Sequence, residues 1–273
     1  MAGYTAADVK KLREETDAPM MECKAALDEA GGDYDKAKDI LRQKGKAAAG
    51  KKAGRATTAG VVAFAASPDN KTLAGVVVES ETDFVSKNEG FVQMAQEVAD
   101  YVLAHGAPEG NPMDDPKMKE FAENIIAKFR ENVQITKAIL LKSDHPIVTY
   151  VHHDKTKGTA ILSEGDNAGT EAVRKVAVHS AAFPPEVVSK DQLSQDKLNA
   201  EIEIETQRAI NEGKDEKIAR NIAQGRVNKE FVKRVVLLEQ PFYIDQSKTV
   251  AQYLAEEAKG AKINHFVYLA VGQ

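Results

Sequence analysis

Tryptophan is absent from this chain and cysteine occurs once, as Cys23. A lone thiol excludes an internal disulfide and argues against a cysteine-based zinc site; it fits a reducing compartment. Long apolar runs are missing too. No stretch approaches the ~18 residues that a membrane-spanning helix needs, and no apolar segment near the N-terminus resembles a secretory signal. Without such a signal the sequon at Asn70 carries little weight. Positive charge is not in excess: 37 Lys and Arg stand against 42 Asp and Glu, a net −5. A generic phosphate-backbone binder would need a basic face, so direct nucleic-acid binding is not expected. Phosphate loops, G-x-S-x-G, H-E-x-x-H and paired-cysteine spacings are all lacking, so nothing points to an enzyme, a cofactor or a bound metal.

What is present is a chain of 273 residues, 42% apolar and 29% charged. That suffices for two domains, or one with appendages, around a core of Val, Ile, Leu and Ala. The first 45 residues read as three short helices. Thr5 and Asp8 make a capping box; "DAP" breaks the first helix; Met20, Met21, Lys24 and Leu27 fall at helical spacing in the second. Gly31 serves as its C-cap and Asp33 as the next N-cap. Lys44, Lys46, Lys51, Lys52 and Arg55 then form a basic run with no acid among them. A solvated, flexible or partly helical linker is the plainer reading, a nucleic-acid- or ribosome-facing patch the sharper one.

From Gly60 the period changes to that of strands. "GVVAFAAS", a turn at "PDN" and "KTLAGVVVES" read as a β-hairpin, followed by an amphipathic helix with Phe91, Met94, Ala95, Val98 and Val102 on one stripe. A Pro-rich loop, another helix ("KMKEFAENIIAKFREN") and the strand "VQITKAILLKS" close this unit. Hairpin and helix recur in "PIVTYVHHDKTKGTAILSE" and "AGTEAVRKVAVHSAAFPP", a loose internal duplication. Two charged helices joined at Gly213 follow, with Leu198, Ile202, Ala209 and Ile210 expected opposite Ile218, Ile222 and Phe231 in an antiparallel coiled-coil hairpin. "LLEQPFYIDQ" onward reads as strand, helix, strand. The fold class is therefore α+β. Its expected divisions are a helical bundle at 1–45, a basic linker at 46–59, a core subdomain at 60–143, a second at 144–188 with 236–273, and the hairpin inserted at 189–235.

Most chemistry-bearing residues have bland explanations. His152 and His153, being adjacent, would point to opposite faces of a strand and could not share a metal. His179 reads as a hydrogen-bonded core histidine and Cys23 as a small buried residue. Glu79, Glu81 and Asp83 alternate at a strand exit, but no glycine-tight ligand loop accompanies them. The stretch "SETDFVSKNEGF" at 80–91 is harder to dismiss. A strand leaves through two acids and a threonine, then places Phe84 where solvent is expected. Either the ring folds back into the core or it is held out for something else to receive.

Three stretches together resemble one family. "MMECKAALDEAGGDYDKAKDILRQKG" is similar to the ubiquitin-associated-type bundle of bacterial translation elongation factor Ts. "VVVESETDFVSKNEGF" resembles its Thr-Asp-Phe-Val signature, and "GKDEKIARNIAQGR" with "LLEQPFYIDQSKTVAQYL" its coiled-coil turn and the strand beyond. The resemblance spans essentially the whole chain. It implies a cytoplasmic guanine-nucleotide exchange factor for the GTPase elongation factor Tu, in which the loop carrying Thr82, Asp83, Phe84 and Val85 enters the partner near its magnesium site. It also implies partner contacts at Met20, Met21 and Lys24, at the strand-tip His152, and at Val235. Phe129 and Arg130 are further expected partner contacts; they stand where the family commonly has Ile-Gly in an "IGEN" element, which puts the backbone contact there in doubt. The Ser-containing turn before Pro185 is replaced by "AAFPPEVV", and the extra C-terminal helical module of some members is not expected. The hairpin offers a surface for a homodimer or a 2:2 complex. The rival reading is a ubiquitin-associated-type adaptor with a coiled coil and no exchange activity.

Overall fold

The computed structural model describes residues 3–16, 18–52 and 54–273, so the break expected at Asp17 lies outside it, as do the side chains of Lys46 and Lys51. The chain opens with helices α1 (Ala6–Thr16), α2 (Met20–Glu29) and α3 (Tyr34–Lys52). Thr5 and Asp8 cap α1 reciprocally: the Thr5 amide donates to Asp8 Oδ2 at 2.7 Å and the Asp8 amide to Thr5 Oγ1 at 3.3 Å. After α2, Gly31 and Gly32 take φ of 63° and 87°, a left-handed exit that glycine adopts without a Cβ clash. Asp33 Oδ1 then accepts from the Lys36 amide, capping α3. Leu12, Cys23, Ala26, Leu27 and Ala37 are fully buried at the centre of this bundle. Met20 and Met21, by contrast, are 49% and 73% exposed. The inward stripe of α2 is Cys23, Ala26 and Leu27; Met21 stands across the helix from it, while Met20, in the first turn, flanks it.

Helix α3 does not stop near residue 45. It continues to Lys52 and lies against α6 (Pro116–Phe129), where Gly45 permits close approach: a Cβ there would sit 2.7 Å from that of Ala127. Lys44 pairs with Glu29 and Arg55 with Glu81. Part of the basic run is thus neutralised within the chain.

Strands β1 (Ala59–Ala66), β2 (Thr72–Ser80) and β3 (Val133–Lys142) form one antiparallel sheet in the order β1-β2-β3. Strands β4 (Val148–Val151), β5 (Lys157–Glu164) and β6 (Lys262–Ala270) form a second, in the order β4-β5-β6. Alternation decides what each face meets. Val61, Ala63, Ala65, Ala74, Val76 and Val78 face α5 (Glu89–His105) and α6, where Phe91, Val98, Met118 and Ile125 complete a core. The intervening Val62, Phe64 and Val77 turn toward Val267 and Leu269 of the second sheet. Both faces of β2 are covered, which is why "GVVVE" reads as a continuous apolar run. Phe64 is packed between two glycines: a Cβ on Gly75 would lie 2.7 Å from its ring and one on Gly158 2.8 Å from it. The outer face of the second sheet is closed by α7 (Glu171–Ala182) and α11 (Val250–Glu257), through Val173, Val176, Phe242, Tyr253 and Leu254. Helix, sheet, sheet and helix therefore stack in succession.

Two helices, α8 (Gln195–Asn211) and α9 (Glu216–Arg226), form a hairpin that reverses at Gly213, φ 88°. Ala209 and Phe231 are buried in its seam as expected, but Ile218 is 50% exposed, and Ala219 and Ala223 are the fully buried residues of α9. Asp215 caps α9 by accepting from the Ile218 amide; packing on α8 takes Ala219 and Ala223 inward, with Ile218 one residue round the helix. Nearer the body, Val227, Phe231, Val232 and Val236 pack with Leu198 and Ile202 as the chain passes through a wider-wound turn, Val227–Val232, into α10 (Lys233–Val235). The strand expected at "LLEQPF" is instead a tight turn at Leu237–Glu239 with single bridges at Val236 and Pro241. Pro241 has no amide to donate, and the Gln240 side chain takes up the Phe183 and Arg234 carbonyls.

Candidate functional site

Between β2 and α5 the chain makes a single helical turn, α4 (Asp83–Ser86), preceded by the extended residue Thr82. The expected loop is thus a rigid turn. The Ser86 amide donates to the Thr82 carbonyl at 3.3 Å and the Lys87 amide to that of Asp83 at 3.0 Å. At its outermost point Phe84 is 87% exposed. The ring does not fold back; Phe91, fully buried, takes the core position that Phe84 declines. Val85 is half-buried and packs on the α5–α6 core, anchoring the turn from beneath.

Two carboxylates fix how the turn is mounted. Glu131 accepts from both the amide and the hydroxyl of Thr82, at 2.9 and 2.6 Å. Glu81 accepts from the Asn132 amide at 2.6 Å and from Arg55. Those bonds, the Asn132 amide first and the Arg55 charge after it, hold the Glu81 carboxyl below its ordinary range. Asp83 bonds Lys87 Nζ at 2.5 Å, and that partner holds its carboxyl low as well, so the exposed tip carries a carboxylate beside an aromatic ring. Glu79 accepts from Thr57 and from the Gly272 amide. Each of the three alternating acids therefore has its own protein partner, and no cluster of metal-ligating side chains occurs among the described residues.

Arg130, Glu131 and Asn132 were missed as a unit, yet they organise the site. Arg130 closes α6 in the left-handed conformation, φ 60°, a strain of about 1 kcal/mol for a non-glycine residue. It extends to Glu22 of α2. The next residue holds Thr82, and Asn132 donates its side-chain amide to the Arg55 carbonyl at 2.6 Å. Three consecutive residues thus tie α2, the Phe84 turn and the segment after α3 together. The sequence signal was the cluster of charged and amide residues at the end of an amphipathic helix, which reads equally well as a solvated terminus.

The remaining expected contacts divide. Met20, Met21 and Lys24 are exposed on α2, the helix that carries Arg130's partner Glu22. Phe129 is half-buried and meets Phe91 edge-on, with ring centroids 5.7 Å apart. Val235 is 3% exposed, packed with Phe231 and Val232, while its carbonyl accepts from the Glu186 amide. Its side chain is thus taken up by the chain's own packing, the core alternative to the expected partner contact. His152 is half-buried and lies beyond the end of β4, where the alternation of a strand no longer applies. Its ring therefore lies against that of His153, centroids 4.3 Å apart, rather than on the opposite face, and its Nδ1 bonds the Tyr150 hydroxyl at 2.9 Å. His179 is fully buried, 2.8 Å from Gln240 Oε1 through Nε2. Gln240 donates its own amide hydrogens to two carbonyls, so Nε2 carries the imidazole proton. Burial pushes the His179 pKa down.

Comparison with known proteins places these observations in a lineage. The family model described as elongation factor TS matches residues 81–273. Elongation factor Ts of Thiobacillus denitrificans is 38% identical over 279 residues, spanning 100% of this chain and 93% of that protein. The protein of the same name from Pasteurella multocida is 39% identical, with 100% and 93% covered, and that of Arthrospira platensis is 39% identical, with 90% and 100% covered.

Proposed function

This chain belongs to the elongation factor Ts family, and from that premise we propose that it binds elongation factor Tu carrying GDP and speeds release of the nucleotide. Family membership makes it a translation elongation factor. The finer reading is carried by one observation: Phe84 stands 87% exposed on a turn locked by Thr82 and Glu131. A large apolar side chain held rigidly in water has little to gain within its own chain. Burying it between partner helices contributes about 2 kcal/mol, roughly a thirtyfold bias toward whatever arrangement of the partner admits the ring.

The bias acts on a metal-bound nucleotide. Magnesium in a GTPase bridges the β-phosphate to protein ligands, so an arrangement that displaces it weakens nucleotide binding. Asp83, kept ionised by Lys87, brings a carboxylate to the same place, where it anchors the turn by charge-assisted hydrogen bonds or disturbs the ligand shell of the ion. Coupling is reciprocal: the factor loosens GDP by the same ratio as GDP loosens the factor. Rebinding of GTP then releases the chain, and no covalent bond is made or broken.

Stopped-flow release of a fluorescent GDP analogue from elongation factor Tu tests this directly. Asp83→Ala with Phe84→Ala should slow release by at least about thirtyfold at a fixed sub-saturating factor concentration. Its thermal midpoint should stay with that of the wild-type chain, because both side chains are exposed. Superimposable release traces would leave the adaptor reading standing and remove this one.

A further inference from the structure

Adjacent residues 130 and 131 reach to different parts of the molecule. Arg130 leaves α6 through a left-handed turn and pairs with Glu22 on α2, the helix that also carries the exposed Met20 and Met21. Glu131 holds Thr82, next to the exposed Phe84. A non-glycine residue in the left-handed region is strained, so the conformation persists only where surrounding contacts fix it. Here the Arg130 amide donates to the Ile126 carbonyl, Glu131 and Asn132 are held by their own bonds, and the side chain is left to pair with another part of the chain. The rest of the boundary between bundle and core is formed where α3 lies against α6. Gly45 packs on Ala127 and Arg42 pairs with Glu120, but a cleft of about 370 Å³ opens between them, lined in part by Lys38, Asn124 and Arg130. Among the described residues, α1 and α2 have no comparable packing on the core, and the Arg130–Glu22 pair is what reaches α2 beside the cleft.

We infer that Arg130 is a positioning residue: its bridge to Glu22 sets the bundle's angle on the core, so that Met20, Met21 and Phe84 meet a partner as one preorganised apolar surface. Arg130 thereby acts within the chain, and a direct contact to the partner is not its role. Preorganisation removes the cost of ordering the bundle at the moment of binding, so the effect falls on affinity and leaves the maximal exchange rate alone. The kinetic half of this inference rests on the proposed exchange function. The structural half concerns the free chain only.

The test uses the full chain carrying Lys10→Cys on α1 and Gln93→Cys on α5, both exposed, with spin labels; Cys23 is buried and stays unlabelled. Pulsed dipolar spectroscopy should give a narrow distance distribution that broadens in Arg130→Gln. Glu22→Gln, which leaves the left-handed turn untouched, should broaden it equally, and the double variant should add nothing further. With elongation factor Tu, each variant should raise the factor concentration for half-maximal GDP release by about tenfold, with the saturating rate unchanged. An unaltered distance distribution overturns the inference. So does a broadened distribution without a shift in half-saturation. A wild-type chain that releases no GDP removes the proposed function, while the distance measurement still decides whether the bridge holds the bundle.

Discussion

At the scale of single residues, the sharpest contrast is between Phe84 and Phe91, seven positions apart in one short stretch. Both are phenylalanines beside helix starts, yet one is 87% exposed and the other fully buried. The difference lies in the turn: α4 lifts residue 84 away, while α5 lays residue 91 on the sheet. Among titratable groups, His179 has the clearest consequence. Its folded pKa is depressed by burial, so the unfolded chain binds the proton more readily. The stability it contributes is fully present above the unfolded value of about 6.5 and is lost as pH falls below it. Urea midpoints should therefore decline between pH 7.5 and 5.5. In His179→Gln, which keeps a donor for Gln240, that decline should be shallower; equal slopes would show that another group carries it.

At the scale of elements, the turn at 82–86 depends on a residue forty-nine positions away. The Glu131 carboxylate accepts two bonds from Thr82, and such charge-assisted bonds each contribute on the order of 1.5 kcal/mol. Glu131→Ala should let the turn fray, slowing GDP release about tenfold at sub-saturating factor. Amide hydrogen exchange should speed up over residues 82–86 and stay unchanged in β1. Retained protection there would mean that Val85 alone holds the turn. The hairpin seam likewise follows from packing between elements: Ala219 of α9 is buried while Ile218, one residue round the helix, is exposed.

At the scale of the whole molecule, two sheets meet across Phe64 and a pair of glycines. Nothing in "GTAIL" announces that Gly158 faces an aromatic ring from a strand almost a hundred residues earlier. Gly158→Ala would place a Cβ 2.8 Å from Phe64 and 3.1 Å from the Tyr150 carbonyl. Overpacking there should destabilise the chain by about 1–3 kcal/mol. Combining it with Phe64→Leu should recover part of the loss, read from urea midpoints at constant slope. No recovery would mean that the backbone contact to Tyr150 dominates.

Strand alternation, helix caps and the Thr-Asp-Phe-Val stretch are local features, and the sequence alone determined them: the α+β class, the capped starts of α1 and α3, the reversal at Gly213. Periodicity and capping involve residues within one or two turns of each other, so their physics is complete in a short window. Tertiary structure alone decided that Phe84 points outward, that Val235 is interior, and that residues 130–132 join three parts of the chain. Exposure and long-range pairing depend on which surfaces remain uncovered after every element has packed, and no window of sequence contains that sum.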